Sequence, residues 1–193
     1  MLERIKWQEV LPKGLRDKGP RSLPAEIGGL MIEGRIIAGP YYPIPIVRGT
    51  EGPMSGWHNA PERSGMWDPH KRIKDMDIEG IDVAVLFGGA VGLGVSGLHD
   101  QQLAMAMTRG YNEWLADYCA PYRARLKGVA AAPLQDVSSA MLELRRAVRE
   151  HGFVGISVPV NVGGKPMDHP EYRPLYEGAQ ELDIPICIQS STP

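Results

Sequence analysis

The chain has 193 residues, of which 43% are hydrophobic and 23% are charged, a balance typical of a folded globular protein rather than a disordered one. Its formal net charge of -2 gives no basic surplus for a nucleic acid, and no apolar run approaches the roughly 20 residues that span a bilayer. The first residues, MLERIKWQEVLPKG, place an acidic residue and a tryptophan where a signal peptide has its apolar segment. We therefore expect a cytoplasmic protein without nucleic-acid or membrane partners.

The first third of the chain is rich in residues that interrupt regular structure. Residues 1–70 hold 9 of the 17 prolines and 10 of the 23 glycines, so residues 1–66 are expected to form an irregular Pro/Gly-rich lobe. Within this lobe, the segment GLMIEGRIIAG at 29–39 has two short apolar runs on either side of Glu33 and Gly34. This pattern predicts a small hairpin.

From Trp67 onward, helix and strand patterns alternate. Asp68 and Pro69 have the chemistry of a helix cap and a first helical residue, and Gly80 is placed to end that helix. Further helices are predicted to begin after Asp100, after Asp136 and at Pro170. Apolar strands are predicted at 81–87, 126–134, 152–160 and 184–189.

The helix after Asp136 is expected to be amphipathic. The residues predicted on its apolar face are Val137, Ala140, Met141, Leu144 and Val148. The residues predicted mostly on its opposite, solvated face are Glu143, Arg145, Arg146 and Arg149. Gly152 is expected to end this helix.

Apolar strands separated by helices indicate the fold class. Parallel strands need crossover helices and are usually covered on both faces, so we predict an α/β fold. The strands begin near residues 81, 126, 152 and 185, and the steps of 45, 26 and 33 residues are close to the roughly 31 residues per unit of a (β/α)₈ barrel. A βα barrel and an open doubly wound sheet fit this spacing equally well.

A glycine-rich segment, VLFGGAVGLGVSGLHD, contains the G-x-G-x-x-G pattern of dinucleotide-binding proteins at residues 92–97. In such proteins the first glycine follows its strand almost at once, and an acidic residue ends the next strand about 20 residues beyond the motif. Here residues 88–91 intervene, and the next strand ends near Asp136, 39 residues after Gly97. A dinucleotide-dependent oxidoreductase is therefore a distant alternative to a loop beside a substrate site.

The carboxyl ends of the predicted strands supply the candidate site. In βα folds, substrate contacts gather at these ends. The residues found there are Phe87, Gln135, Asn161 and Gln189. One aromatic ring and three neutral hydrogen-bonding groups suit the binding of a small polar aromatic or carboxylate-bearing molecule better than proton transfer. Hydrogen bonding to loop backbone is an equally good explanation for Gln135 and Asn161.

Common catalytic motifs are absent from the sequence. The five histidines form neither His-x-His nor His-Glu-x-x-His, and the chain has no G-x-S-x-G segment and no Walker-type phosphate loop. Cys119 and Cys187 lie in apolar surroundings and are expected to be reduced residues of the core. No catalytic residue is assigned from these patterns.

Four segments carry a resemblance to a known family. They are RIKDMDIEGIDVAVLF, YNEWLADYCAPYRARLKGVAAAPLQDVSSAMLELRRAV, GFVGISVPV and HPEYRPLYEGAQELDIPICI, which together cover about residues 67–190. In this order and spacing they resemble the amidohydrolase-related superfamily of metal-dependent hydrolases and decarboxylases, which includes aminocarboxymuconate-semialdehyde decarboxylase and resorcylate decarboxylase. The resemblance implies a small aromatic or unsaturated carboxylic acid as substrate.

The resemblance also implies an architecture. The predicted strands would be the second to fifth of a TIM-like (β/α) barrel, so that the chain holds about four parallel βα units of a partial barrel. Residues 67–193 would form this barrel domain, and residues 1–66 would be the insertion that follows the first strand.

The metal centre of that family is where the sequence departs from it. The resemblance implies a zinc or manganese ion held by His-x-His or Glu-x-His on the first strand, a histidine ending the fifth strand and an aspartate near the eighth. Gln189 stands where the fifth-strand histidine would be, and an amide oxygen is a far weaker zinc ligand than imidazole. No metal or other cofactor is therefore predicted for this chain.

Two functions follow as hypotheses. The first is an enzyme of this family that acts on a small molecule, although this chain lacks most of the expected catalytic residues. The alternative is a non-catalytic remnant that binds a ligand or forms homo-oligomers through an exposed sheet edge.

Overall fold

A small antiparallel sheet lies in the amino-terminal part of the chain. In the computed structural model, which describes residues 5–22, 30–38, 65, 67–88 and 94–189, helix α1 (Trp7–Val10) and a 3₁₀ turn (Lys13–Leu15) come first. Strand β1 (Arg21–Ser22) then pairs with β2 (Leu30–Ile32), and β2 pairs with β3 (Arg35–Ala38). Glu33 and Gly34 connect β2 to β3 with φ angles of 53° and 73°, the positive values that a tight hairpin turn requires. The predicted hairpin is confirmed.

Aspartate caps begin three of the helices. Asp68, Asp100 and Asp136 precede α2 (Pro69–Glu79), α3 (Gln101–Cys119) and α4 (Val137–His151), and each carboxylate accepts hydrogen bonds from backbone N–H groups of the first turn. Gly80 and Gly152 end α2 and α4 in the left-handed conformation, each with φ of 70°. These boundaries agree with the sequence predictions. The segment from Pro170 begins as a 3₁₀ turn (Pro170–Tyr172) and only then becomes α5 (Arg173–Glu181).

Four parallel strands follow one another across the molecule. They are β4 (Ala84–Leu86), β5 (Leu126–Gly128), β6 (Ile156–Pro159) and β9 (Ile186–Gln189). Strand β4 pairs with β5, and β6 pairs with β9. Ala130 joins β5 to β6, because its N–H donates to Gly155 O at 2.9 Å and its carbonyl accepts from Ser157 N at 2.8 Å. A short hairpin of β7 (Asn161–Val162) and β8 (Lys165–Pro166) follows β6. The α/β class with parallel strands is confirmed.

Strand β5 is shorter than the sequence predicted. Residues 126–134 were expected to form one strand, but regular pairing ends at Gly128, with one further bridge at Ala130. Two causes lie beyond that point, since Pro133 has no N–H to donate and the side chain of Asn112 takes both backbone groups of Ala131. Apolar character alone therefore overestimated the strand.

Helices bury one face of the parallel sheet. Leu86, Leu126 and Ile156 are buried there together with apolar residues of α3, including Leu103 and Met107. The opposite face is more open at β4, where Val83 and Val85 are about half exposed. Among the helices of the described residues, none combines the length and apolarity needed to cross a lipid bilayer.

The amino-terminal residues share this core. Trp7, Leu11 and Ile32 belong to the same cluster of buried residues as the sheet and α3. Helix α1 rests on α3 at Gly110, where a Cβ atom would lie 2.6 Å from Cγ1 of Val10 and 3.1 Å from Cζ3 of Trp7. The absence of a side chain at Gly110 therefore permits this close contact.

The two cysteines differ in their surroundings. Both are free thiols, but Cys119 is buried in α3, whereas Cys187 on β9 is only partly covered. Burial raises the pKa of the Cys119 thiol to about 11, so the group stays protonated and unreactive at neutral pH. The expectation of a core residue is confirmed for Cys119 and wrong for Cys187.

Candidate active site at the carboxyl edge of the sheet

Each of the four predicted site residues lies at or just beyond the carboxyl end of a parallel strand. Phe87 comes directly after β4, Asn161 opens the hairpin after β6, and Gln189 is the last residue of β9. Gln135 lies in the loop between β5 and α4. Because the strands are parallel, these positions share the carboxyl edge of the sheet, where α/β folds place their ligands.

A cleft of about 430 Å³ opens at this edge. Gln135 and Asn161 both line it, so the structure brings two of the four predicted residues together. Its other polar lining residues include Arg35, His99, Lys165 and Glu171. Phe87 and Gln189 do not line this cleft. Gln135 also borders a neighbouring, more apolar cleft of about 600 Å³ between the Lys13–Leu15 turn and the starts of α3 and α4.

The amide of Gln135 is held in one orientation. Its Nε2 donates to Val95 O at 2.5 Å and to Leu98 O at 2.9 Å. Two carbonyl acceptors on one side assign the nitrogen to that side and leave Oε1 on the other. Oε1 is buried, and within the described part of the chain it has no hydrogen-bond partner. Gln135 therefore does support loop backbone, and its buried oxygen has no partner among the described residues.

Glu33, at the tip of the β2–β3 hairpin, holds the same loop from the opposite side. Its carboxylate accepts from Asp100 N at 2.7 Å and from His99 N at 3.0 Å, just before α3 begins. Burial alone would raise the pKa of Glu33, but these two backbone N–H groups and the Arg35 guanidinium outweigh it and hold the pKa below its ordinary value. Lys18 donates to Asp100 at 2.6 Å, and this contact lowers the pKa of the Asp100 carboxyl.

Asn112 holds the end of strand β5 from within α3. Its Oδ1 accepts from Ala131 N at 3.0 Å, and its Nδ2 donates to Ala131 O at 3.2 Å, as a neighbouring strand would. Nδ2 also donates to Glu143 Oε1 at 2.8 Å. Sequence reasoning missed Asn112, although a polar residue placed between Tyr111 and Leu115 on a buried helical face is a signal for such a contact.

Glu143 contradicts the face assigned to it from the sequence. It was expected mostly on the solvated face of α4, but it is only 5% exposed and contacts Asn112. Arg146 donates to both of its carboxylate oxygens, at 2.7 and 2.8 Å, and also to Glu113 at 2.6 Å. Burial of this carboxylate is tolerable because Arg146 and Asn112 together satisfy it.

Gln189 is a weak ligand for a metal, and its amide oxygen is already hydrogen-bonded. Its Oε1 accepts a hydrogen bond from Ser157 Oγ at 2.6 Å across the β6–β9 pair, which takes one of its two lone pairs. No group of three or more His, Cys, Asp or Glu side chains with a metal-binding arrangement occurs among the described residues. In the described ranges, the side chains therefore do not fit the zinc or manganese site implied by the family resemblance.

The histidines make other contacts. His70 Nδ1 lies 2.9 Å from Tyr122 Oη, and His151 Nε2 lies 2.8 Å from Arg146 Nη1. His169 accepts from Glu171 N at the start of the turn before α5.

Of the glycine motif at 92–97, residues 92 and 93 lie outside the described residues, and Val95–Gly97 form a 3₁₀ turn.

The family assignment follows from a match that covers most of the chain. A family model described as Amidohydrolase matches residues 44–192, and the chain belongs to this family. The resemblance inferred from the four segments is confirmed. The β2–β3 hairpin precedes the matched residues.

The curated relatives of this chain include decarboxylases. Gamma-resorcylate decarboxylase of Rhodococcus jostii (strain RHA1) is 36% identical over 131 residues, which are 63% of this chain and 39% of that protein. 2-amino-3-carboxymuconate-6-semialdehyde decarboxylase of Dictyostelium discoideum is 30% identical over 125 residues, 65% of this chain and 34% of that protein. The chain thus spans between one third and two fifths of the length of these relatives.

Solved structures of decarboxylases are also similar to this chain. The dihydroxybenzoic acid decarboxylase from Polaromonas sp. JS666, with bound manganese and the inhibitor 2-nitroresorcinol, has a TM-score of 0.63 and 32% identity, covering 74% of this chain and 44% of that one. A 2,6-dihydroxybenzoate decarboxylase complexed with 2,6-dihydroxybenzoate has a TM-score of 0.58 and 35% identity, covering 63% of this chain and 39% of that one.

Proposed function

We propose that the cleft at the carboxyl edge binds a small aromatic or unsaturated carboxylic acid, and that the chain belongs to the decarboxylase and hydrolase branch of its family. The observation that carries this proposal is the convergence of Gln135 and Asn161 on one polar cleft where parallel strands end. The names of the relatives, which include resorcylate and dihydroxybenzoic acid decarboxylases, support this substrate class.

The proposed architecture is a partial TIM-like barrel. Residues 67–193 would supply its second to fifth βα units, and residues 1–66 would form a lobe beside them. The order β4, β5, β6, β9 supports this, because consecutive parallel neighbours are what a barrel segment requires. On this basis Phe87 and Gln189 belong to the same carboxyl rim as the cleft, without lining it.

The chemistry of the cleft is suited to binding. Gln135 lines the cleft, and its Oε1 is a buried acceptor without a partner among the described residues. Asn161, which is exposed, offers both a donor and an acceptor to a ligand. Neither group transfers a proton, so turnover requires groups beyond these two.

A non-catalytic binding protein is the second candidate. Gln189 favours it, because a weakly ligating amide that is already hydrogen-bonded to Ser157 stands where the family resemblance implies a metal-binding histidine. The two candidates share the ligand class and differ in turnover.

The binding proposal is tested by titrating 2,6-dihydroxybenzoate into the purified chain and following heat release and the side-chain amide NMR signals. Saturable binding should shift the amide signals of Gln135 and Asn161, and Asn161→Ala should weaken it. Gln180→Ala, an exposed residue on α5 away from the cleft, is the matched control. A titration without saturation, or an equal loss in both variants, contradicts the proposal.

The two candidates are separated by repeating the titration with manganese and measuring release of carbon dioxide. The non-catalytic candidate predicts no stoichiometric manganese and no release. Stoichiometric manganese with turnover would favour the enzyme, and Gln189→His should then tighten the metal, since imidazole is a stronger ligand than an amide. Gln180→His is the control for adventitious binding.

A further inference from the structure

The β2–β3 hairpin delivers a charged side chain to the cleft from outside the residues that match the family. Glu33 and Arg35 flank Gly34, and the tight turn brings both to the loop before α3, 62 to 67 residues further along the chain. Arg35 lines the cleft together with Gln135 and Asn161. A hairpin that precedes residues 44–192 therefore completes one wall of the candidate site.

The guanidinium of Arg35 is fixed through one of its nitrogens. Nη2 donates to Glu33 Oε2 at 3.1 Å and to Gly97 O at 2.9 Å. Nε and Nη1 make no hydrogen bond within the described part of the chain. Because Glu33 is itself held by two backbone N–H groups, the position of Arg35 is set before a ligand arrives.

The exposure of this ion pair is unequal. The Arg35 side chain is 45% exposed, whereas the Glu33 side chain is 10% exposed. The positive member therefore faces solvent and the negative member faces the protein. Two other ion pairs lie nearby, Lys18 with Asp100 and Lys165 with Glu171, and in each the exposure of the two members differs less than in the Arg35–Glu33 pair. His99 is exposed on the same loop.

We propose that Arg35 binds the carboxylate of the ligand and so selects acids over their uncharged analogues. This inference rests on the proposed function, because it concerns the same cleft. A charge-assisted hydrogen bond from either Nη1 or Nε would hold the carboxylate, and the exposed amide of Asn161 would bond a neighbouring hydroxyl. The site would then recognise an acid group and a hydroxyl group through two different parts of the chain.

The test compares two probes that differ by one charge, 2,6-dihydroxybenzoate and 2,6-dihydroxybenzamide. Arg35→Gln should weaken binding of the benzoate by about tenfold or more and change benzamide binding by less than about twofold. Arg35→Lys should recover part of the loss. The matched control is Arg21→Gln, because Arg21 pairs with Asp17 and its side chain is 47% exposed, close to the value for Arg35.

The possible outcomes separate this inference from the function on which it rests. If both probes lose affinity equally in Arg35→Gln, or if neither does, Arg35 does not recognise the carboxylate, although the cleft still binds its ligand. If the unaltered chain binds neither probe, the proposed function is wrong and the inference fails with it. Hydrogen exchange at His99 and Asp100 should stay slow in Arg35→Gln, which excludes loss of the hairpin as the cause.

Discussion

Two side chains in this molecule hold main chain that lies far away in sequence, and they do so under different conditions. Asn112 holds Ala131 from inside the core, where its own side chain is fully buried and its neighbour Glu143 nearly so. Glu33 holds His99 and Asp100 from a hairpin at the edge of a cleft. Each makes two hydrogen bonds to backbone, so the number of bonds does not distinguish them.

The difference lies in what replaces each contact when it is lost. Water cannot easily reach Ala131, so removal of Asn112 would leave the N–H and C=O groups of Ala131 without these partners and would remove one of the three hydrogen bonds that satisfy Glu143. Water can reach the loop before α3, because that loop borders an open cleft. The contact of Asn112 with Ala131 is therefore needed for the stability of the fold, whereas the contact of Glu33 with the loop mainly fixes the shape of the site.

The largest difference between the two contacts is expected for Asn112→Ala. We expect a loss of about 3 kcal/mol in the free energy of unfolding, because two backbone groups and part of a carboxylate become unsatisfied. In a domain of this size that loss lowers Tm by roughly 6–12 °C. Asn161→Ala, on an exposed hairpin, is the control and should change Tm little. Equal Tm values for both variants would refute the role assigned to Asn112.

Glu33→Gln should have a smaller global effect and a clear local one. We expect about 1–2 kcal/mol of lost stability, since a neutral amide replaces a carboxylate that accepts two backbone hydrogen bonds. Hydrogen exchange at the amides of His99 and Asp100 should become faster, whereas exchange at Ala131 should not. Glu79→Gln, at the exposed end of α2, is the control. Unchanged exchange at His99 would count against the hairpin contact.

Acid should act on one of the two contacts selectively. The pKa of Glu33 is lowered in the folded chain, so its contribution to stability is complete above the ordinary value of 4.5 and is lost as the pH falls through the lower, folded value. Asn112 has no proton to gain. Exchange at His99 and Asp100 should therefore accelerate in this acidic range before exchange at Ala131, and Glu33→Gln should abolish the difference. Simultaneous acceleration at all three amides would argue for global unfolding instead.

The smallest effect is expected for Ser157→Ala. The Ser157–Gln189 hydrogen bond joins two half-buried side chains and holds no backbone, so its loss should reduce stability by about 1 kcal/mol or less. Thermal unfolding measures this directly, with Ser138→Ala at the exposed start of α4 as the control. A loss comparable to that of Asn112→Ala would mean that backbone support is not what makes a contact important here.

Local chemistry in the sequence predicted the elements, and contacts between distant residues decided the rest. Asp68, Asp100, Asp136, Gly80 and Gly152 mark helix ends by their own chemistry, and all five were recognised. The length of β5 and the burial of Glu143 depend on Asn112, which lies on another helix. Gln135 and Asn161 were found by position, but Arg35 reaches the cleft through a contact with residues more than 60 positions away, which no local pattern encodes.

Gly110 has a consequence for how the amino-terminal segment and α3 depend on each other. A glycine in the interior of a helix costs about 1 kcal/mol relative to alanine. Here that cost is offset by the contact of Trp7 and Val10 with the bare backbone. Substitution at any of the three positions would weaken the contact that favours the residues at the other two. We therefore expect Trp7, Val10 and Gly110 to change together as related sequences diverge. Of the three, only Gly110 lies within the residues that match the family.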